Sequence, residues 1–121
     1  MILGFKPQLK QPILDGIKIH TIRMDKKKRW RKLMKIHYAT GVRTKNYNEF
    51  KRGVCTGTQR IDIGWDGTIY IDKKLLSVSE AYQLARNDGF NGLQEMFDWF
   101  DNEHELPIED ATLIHWTDFR Y

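Results

Sequence analysis

The stretch QRIDIGWDGTIYID, residues 59–72, is the part of the chain from which the fold is predicted. Its first half alternates between polar and apolar side chains, which predicts a half-buried strand with Ile61, Ile63 and Trp65 on the inner face. Asp66-Gly67 is typical of a two-residue hairpin turn, and TIYID (68–72) then predicts the returning strand. The sequence therefore predicts an antiparallel β-hairpin near the middle of the chain.

Short extended segments are predicted on both sides of this hairpin. They are ILGF (2–5), residues 17–23, LMKIHYA (33–39) and ATLIHWTDF (111–119). In the third of these, Ile36 and Tyr38 share one face while Lys35 and His37 share the other. QPILDG (11–16) instead predicts a short helical turn, with a proline where it begins and a glycine where it ends.

Two longer helices are predicted between the hairpin and the last strand. Ser77 and Glu80 have the spacing of a capping box, and Gly89 is placed to end that helix in a left-handed conformation. Asn91 is placed to cap the second helix. The apolar residues of this helix recur at i, i+3, i+4 and i+7: Leu93, Met96, Phe97 and Phe100. An acidic loop over 101–107 is expected to follow.

These elements predict one α+β domain that covers residues 1–121. The chain has 121 residues, no internal repeat and no Gly/Ser-rich linker, which is typical of a single domain. Short strands that curl, with helices inserted between them, favour a small curled mixed β-barrel with two or three short helices.

The positive charge is unevenly distributed along the chain. The net charge is +4, but residues 1–60 contain 16 Lys/Arg and 3 Asp/Glu, whereas residues 61–121 contain 4 and 13. One interpretation is a basic face that binds a polyanion such as RNA. The other is that the two halves neutralise each other in the folded protein.

The composition also bears on location and on cofactors. Cys55 is the only cysteine, so no intrachain disulfide is possible, and no apolar run approaches the ~20 residues that cross a bilayer. The N-terminal residues lack the layout of a signal peptide, so we expect a cytoplasmic protein without membrane contact. The histidines lack metal-ligand spacing and no nucleotide-binding glycine motif is present, so no cofactor or metal is predicted.

Two basic stretches are candidates for nucleic-acid contact. KKKRWRK (26–32) surrounds one indole with cations: Lys26, Lys27, Lys28, Arg29 and Arg31 around Trp30. The cations could bind phosphates and the indole could stack on an unpaired base, or the indole could pack in the core. In GVRTKNYNEFKRG (41–53), the cations Arg43, Lys45, Lys51 and Arg52 could line the same groove, with Tyr47 as a second stacking residue, or the stretch could be an ordinary long loop.

KIHTIR (18–23) carries the sharpest chemical signal. Alternation along a strand places Thr21 and Arg23 on one face and His20 and Ile22 on the other. Lys18 joins Thr21 and Arg23 only if the chain bends after Gly16. A lysine in a partly dry site can act as a base or nucleophile, whereas Lys18 and Arg23 could equally bind phosphates.

Three motifs in this order resemble the activating-signal-cointegrator homology (ASCH) domain family. They are GIKIHTIR (16–23), ARNDGF (85–90) and EMFDWF (95–100), and the resemblance extends over nearly the whole chain. It implies a barrel similar to the pseudouridine-synthase-and-archaeosine-transglycosylase (PUA) fold, with a cleft that binds RNA or a nucleotide-derived ligand. In one branch, an amidohydrolase that deacetylates acetylated cytidine, the catalytic positions correspond to Lys18, Thr21 and Asp88.

Three functions follow from these observations. RNA binding is favoured, because the basic asymmetry exceeds what a nucleoside pocket needs and the 41–53 loop is long. The amidohydrolase is the alternative, although Asp88 stands where that branch has glutamate and is shorter by one bond. The third function is partner binding through the acidic face of residues 95–110.

Overall fold

Two β-sheets and three α-helices make up the fold in the computed structural model, which describes residues 1–121. The small sheet has the order β1-β3-β4, and its strands are β1 (Ile2–Phe5), β3 (Lys35–Thr40) and β4 (Asn48–Val54). The large sheet has the order β2-β8-β5-β6-β7. Its strands are β2 (His20–Arg23), β5 (Gly57–Ile63), β6 (Ile69–Ile71), β7 (Lys74–Leu75) and β8 (Ile108–His115).

The helices are α1 (Lys10–Leu14), α2 (Val78–Asn87) and α3 (Leu93–His104), and a 3₁₀ turn over Pro7–Leu9 precedes α1. Strand β1 pairs with β3 in parallel, and every other strand pair is antiparallel. The predicted α+β class is confirmed. No strand pairs with both sheets, so hydrogen bonds do not join them into a closed barrel. None of the helices is long and apolar enough to cross a bilayer.

The predicted hairpin is formed by β5 and β6, but its turn is longer than expected. Ile63 pairs with Ile69, and the Gly64 amide donates to the Thr68 carbonyl at 2.8 Å, so five residues connect the strands. The Asp66 carboxylate accepts from the Thr68 amide and stabilises this wider loop. Trp65 therefore lies in the loop rather than on the inner face of β5, and it is 80% exposed. The predictions of a two-residue turn and of an inward Trp65 were wrong.

Helix α2 begins and ends where the sequence predicts. Ser77 and Glu80 form the reciprocal capping box, and Gly89 follows the helix with φ of 98°. The Gly89 amide donates to the Arg86 carbonyl and the Phe90 amide donates to the Ala85 carbonyl. These two bonds constitute a Schellman motif, which turns the chain sharply at the end of α2.

Helix α3 differs from the prediction at both ends. Its N-cap is Gly92 and not Asn91. The helix continues through His104, so the first part of the expected acidic loop is helical. Met96 and Phe100 are buried, as the apolar spacing predicts.

The strand pair β2–β8 separates two hydrophobic cores. Ile22 and Leu113 pack into the larger core, between the large sheet and helices α2 and α3. Ile114 packs into the smaller core, which it shares with Tyr38 and other residues of the small sheet. Neighbouring residues of a strand point to opposite faces, so β2 can present Thr21 and Arg23 to one side and His20 to the other. This division positions the candidate site.

Candidate functional site

A cleft of about 850 Å³ lies between the small sheet, strand β2 and the ends of helices α2 and α3. Its volume is within the range typical of small-molecule sites. Aromatic side chains form much of its lining: Phe5, Trp30, Phe90, Trp99 and Phe100. Lys18, Thr21, Arg23 and Asp88 line the same cleft. The structure therefore brings all three predicted catalytic residues to one cavity.

Lys18 precedes β2, which begins only at His20, and its backbone follows a bend after Gly16. The lysine is 2% exposed, and its Nζ donates to the Asp88 carbonyl at 2.6 Å and to Asp88 Oδ1 at 3.2 Å. The bend accounts for the way in which Lys18 reaches the cleft beside Thr21. Asp88 is also buried, so it does not simply cap α2 toward solvent.

Burial and the ion pair act on Lys18 in opposite directions. Burial lowers the pKa of the Lys18 amine, while Asp88 raises it and the nearby Arg23 lowers it further. Burial is the largest of these effects, so the pKa lies below its ordinary value. Lys18 is therefore closer to losing its proton than a lysine on the surface.

Arg23 is a largely buried cation without a carboxylate partner. Its Nη2 donates to the Gly4 carbonyl at 2.7 Å, and its Nε lies 3.4 Å from Thr21 Oγ1. No Asp or Glu oxygen lies within 4 Å of the guanidinium. The guanidinium lies 5.1 Å from the centre of the Phe5 ring, and Lys18 Nζ lies 5.8 Å from the same ring. An unpaired charge of this kind favours an anionic or strongly polar ligand.

Asp25 and Trp30 both line the cleft, and the basic loop 26–32 extends from the cleft wall at these residues. Trp30 is only 8% exposed and packs in the smaller core, so its ring is not an open stacking platform on the surface. The buried Asp25 Oδ2 accepts from the Trp30 amide at 3.0 Å and closes the loop. Trp30 reaches a ligand only from within the cleft, where it forms part of the wall.

The cations of the two basic loops fall into two groups. Lys28 pairs with Asp110 at 2.8 Å and Arg29 lies 3.7 Å from Asp25, so these two are partly neutralised. Arg52 pairs with Glu49 at 2.9 Å. Five other cations of these loops are exposed and have no carboxylate within 4 Å: Lys26, Lys27, Arg31, Arg43 and Lys45. The two halves of the chain therefore neutralise each other at some of these cations and not at the others.

The second basic loop reaches the cleft through its first residues. Gly41 and Val42 line the cleft, whereas Arg43, Lys45 and the half-exposed Tyr47 lie outside it. Gly4 and Val42 are in close contact, because a Cβ on Gly4 would lie 2.9 Å from Val42 Cγ2. Both basic loops thus contribute residues to the lining of the cleft and carry unpaired cations a few sequence positions away.

Sequence reasoning missed two residues behind the cleft, His20 and Tyr121. His20 Nδ1 lies 2.9 Å from Asp88 Oδ1, and His20 Nε2 lies 2.6 Å from the Tyr121 hydroxyl. Burial lowers the pKa of His20 even though Asp88 opposes it, so the imidazole is neutral. Alternation along KIHTIR gave the correct face for His20, but nothing in the sequence pointed to its partners.

No set of three or more His, Cys, Asp or Glu side chains is placed to hold a metal ion. The cleft presents the guanidinium of Arg23, the Lys18–Asp88 pair and aromatic walls. No protein-family model, curated protein or solved structure matches this chain.

Proposed function

We propose that the protein binds single-stranded RNA and that an unpaired nucleotide enters the cleft. The unpaired Arg23 guanidinium, which lies inside an aromatic-lined cleft, is the observation that carries this proposal. Single-stranded nucleic acids are bound by stacking on aromatic rings together with cations that neutralise the phosphates.

The two basic loops supply the second half of this interface. Asp25, Trp30 and Val42 line the cleft. Lys26, Lys27 and Arg31 are close in sequence to the first two, and Arg43 and Lys45 are close to the third, so we expect these cations near the cleft mouth. Cations without carboxylate partners are available to phosphates, because binding does not first require an ion pair to break. Each phosphate that they contact releases counterions, which makes the affinity sensitive to salt.

The resemblance to the ASCH family is part of this proposal. We infer that the small and large sheets are the two sides of a PUA-like barrel, with the cleft between them. The order of the motifs at 16–23, 85–90 and 95–100 supports this inference, since residues from all three line the cleft.

The test compares two lysine pairs that carry equal charge. In Lys26→Ala/Lys27→Ala, the negative slope of log affinity against log salt for a labelled single-stranded RNA should become less steep by about 1.4, at roughly 0.7 per lost phosphate contact. The control is Lys73→Ala/Lys74→Ala, an adjacent exposed pair at the far edge of the large sheet. The slope in the control should match that of the wild type. RNA affinity that is independent of salt, or equal losses in both variants, would reject the proposal.

A second candidate function is hydrolysis of an amide on a modified nucleoside such as acetylated cytidine. The observation in its favour is that Lys18, Thr21 and Asp88 line one cleft, with 3.2 Å between Lys18 Nζ and Asp88 Oδ1. In this reaction Lys18, in its neutral form, takes a proton from the water as its oxygen attacks the acetyl carbon, and Asp88 relays that same proton from Lys18 to the leaving amine nitrogen as the C–N bond breaks. Acetate and the free nucleoside are the products, and Thr21 positions the reacting groups.

This second function has its own test. Deacetylation of the nucleoside should be lost in Lys18→Ala and kept in Lys28→Ala, because Lys28 is an exposed lysine outside the cleft. Deacetylation that persists undiminished in Lys18→Ala excludes the mechanism. If the wild type releases no acetate at all while it binds RNA, the cleft is a binding site only.

A further inference from the structure

A chain of buried hydrogen bonds connects Tyr121 to Lys18 through the back wall of the cleft. The Tyr121 hydroxyl lies 2.6 Å from His20 Nε2, His20 Nδ1 lies 2.9 Å from Asp88 Oδ1, and the same oxygen lies 3.2 Å from Lys18 Nζ. His20 is fully buried, and neither it nor Tyr121 lines the cleft. These two residues therefore do not touch a ligand directly.

The partners determine which atoms of this chain carry protons. The Asp88 carboxylate can only accept, so His20 Nδ1 carries a hydrogen and His20 Nε2 is an acceptor. Burial raises the pKa of Tyr121, so its hydroxyl keeps the proton that it donates to Nε2. Asn87 Nδ2 donates to the Tyr121 oxygen at 3.0 Å and fixes the direction of that hydroxyl.

Tyr121 is itself held in place by β5. Its amide donates to Gln59 Oε1 at 3.2 Å, and Gln59 Nε2 donates to the Tyr121 carbonyl at 3.2 Å. His115 Nε2 lies 2.9 Å from the same Gln59 oxygen. The phenol is thus anchored through its own backbone, and its position does not depend on a ligand.

We propose that His20 and Tyr121 are positioning residues that hold Asp88 Oδ1 against Lys18, and so set whether the lysine presents a charge or a free amine to the cleft. Only this oxygen of Asp88 is engaged, because Oδ2 has no hydrogen-bond partner and is not sealed from the cleft. The inference rests on the proposed function in one respect, namely that Lys18 is a group that meets the ligand.

The physical basis of this proposal is that burial and Asp88 act on the pKa of Lys18 in opposite directions. Asp88 is the group that opposes the burial of the amine, so a carboxylate free to rotate would leave the amine easier to deprotonate. The charged or titratable groups around His20 are Asp88, Lys18, Tyr121 and His115, whose ring centre is 5.5 Å from that of His20. Asp88 is the only carboxylate among these groups, and the contact with His20 Nδ1 orients it.

Chemical labelling of Lys18 in the ligand-free protein tests this inference. A short pulse of acetic anhydride, followed by peptide mass spectrometry, measures how much free amine Lys18 presents. Labelling should become about 2- to 10-fold faster in Tyr121→Phe, which corresponds to the loss of one neutral hydrogen bond. Labelling should also be faster in His20→Ala. It should stay near the wild-type rate in His20→Asn, whose amide can still donate to Asp88.

The control and a second measurement keep the inference open to refutation. Tyr38→Phe removes a hydroxyl that makes no hydrogen bond from a buried tyrosine outside the cleft, so Lys18 should be labelled at the wild-type rate. Nitrogen NMR of the wild-type histidines should show His20 protonated at Nδ1 and not at Nε2. The inference is overturned if Nε2 carries the proton, or if Tyr121→Phe and Tyr38→Phe label equally.

The proposed function can fail separately from the positioning role of His20 and Tyr121. If the labelling order and the His20 tautomer are as expected while the wild type does not bind RNA, the positioning role is supported and RNA binding is rejected. If RNA binds with the expected salt dependence but the variants do not show the expected order of Lys18 labelling rates, the positioning role is rejected and the proposed function is supported.

Discussion

Removing the negative charge of Asp88 should destabilise the protein far more than removing a surface carboxylate. Asp88→Asn keeps the size of the side chain and its place at the end of α2. Lys18 then remains 2% exposed with no carboxylate beside it. The substitution therefore isolates one electrostatic contact, while the packing around it is largely kept.

The size of the effect follows from distance and burial. Two unit charges 3.2 Å apart attract by about 5 kcal/mol at an effective dielectric constant of about 20. Breaking a buried ion pair by removing one partner typically costs about 3–5 kcal/mol. A domain of this size is stable by roughly 5–15 kcal/mol, so we expect the free energy of unfolding to fall by about 3 kcal/mol or more.

Urea unfolding at several pH values measures both the loss and its cause. The ordinary pKa of a lysine is 10.5, and without Asp88 the folded-state pKa of Lys18 falls further below it. Between these two values the unfolded chain binds more protons than the folded protein, so stability rises with pH. The difference between Asp88→Asn and the wild type should therefore shrink as the pH is raised toward 10.5.

Asp110→Asn is the matched control for this experiment. Asp110 pairs with Lys28 at 2.8 Å, a shorter distance than in the buried pair, but both side chains are about half exposed. Solvent screens that pair, so its loss should have a small effect at every pH. A loss in Asp88→Asn no greater than in Asp110→Asn, or one that does not change with pH, would refute the reasoning.

Two further pairs of variants test the backbone and the core by urea unfolding. Gly89→Ala should cost about 1–2 kcal/mol, because φ is 98° and the new Cβ would lie 3.3 Å from atoms of Leu9 and Lys18. Gly92→Ala, at an extended φ with its nearest neighbour at 3.8 Å, should cost only about 0.5 kcal/mol, because alanine is a weaker N-cap than glycine, and equal losses would contradict the role of Gly89. Trp30→Ala should cost about 3–5 kcal/mol because the indole is buried in the smaller core. Trp65→Ala should change stability by about 0.5 kcal/mol or less, and a larger loss there would show that its ring is packed.

Features set by a few neighbouring residues could be predicted from the sequence. The capping box of Ser77 and Glu80 and the left-handed Gly89 depend on contacts within one or two turns of α2. The hairpin strands were predicted for the same reason, since alternation is a local pattern. The loop was mispredicted because the Gly64–Thr68 bond and the Asp66 side chain favour a wider turn than the Asp-Gly pair suggests.

Features set by contacts between distant segments could not be predicted. Trp30 and Trp65 both lie in polar surroundings in the sequence, yet one is buried and the other exposed. What buries Trp30 is the packing of its loop against the small sheet, and no pattern around residue 30 encodes that. The unpaired state of Arg23 is similar, because it depends on which carboxylates the fold brings within reach.

The candidate site combines features that local sequence patterns predict with features that depend on distant contacts. The resemblance and the strand pattern indicated Lys18, Thr21 and Asp88, and the structure places all three on one cleft. The strand pattern requires a bend for Lys18 to meet Thr21, but it does not predict that the bend forms. His20 was assigned to the face opposite Thr21, where it does lie, but its bond to Tyr121 joins residues 101 positions apart.

The bond from Lys18 to the Asp88 carbonyl also has a consequence for the order of folding. It joins residues 70 positions apart, and the Schellman turn at Gly89 must already exist for that carbonyl to face the lysine. Closing so large a loop costs chain entropy that is recovered only when both cores form around the β2–β8 strand pair. We therefore expect the contact between Lys18 and Asp88, and with it the inner wall of the cleft, to form late in folding, after the turn at Gly89.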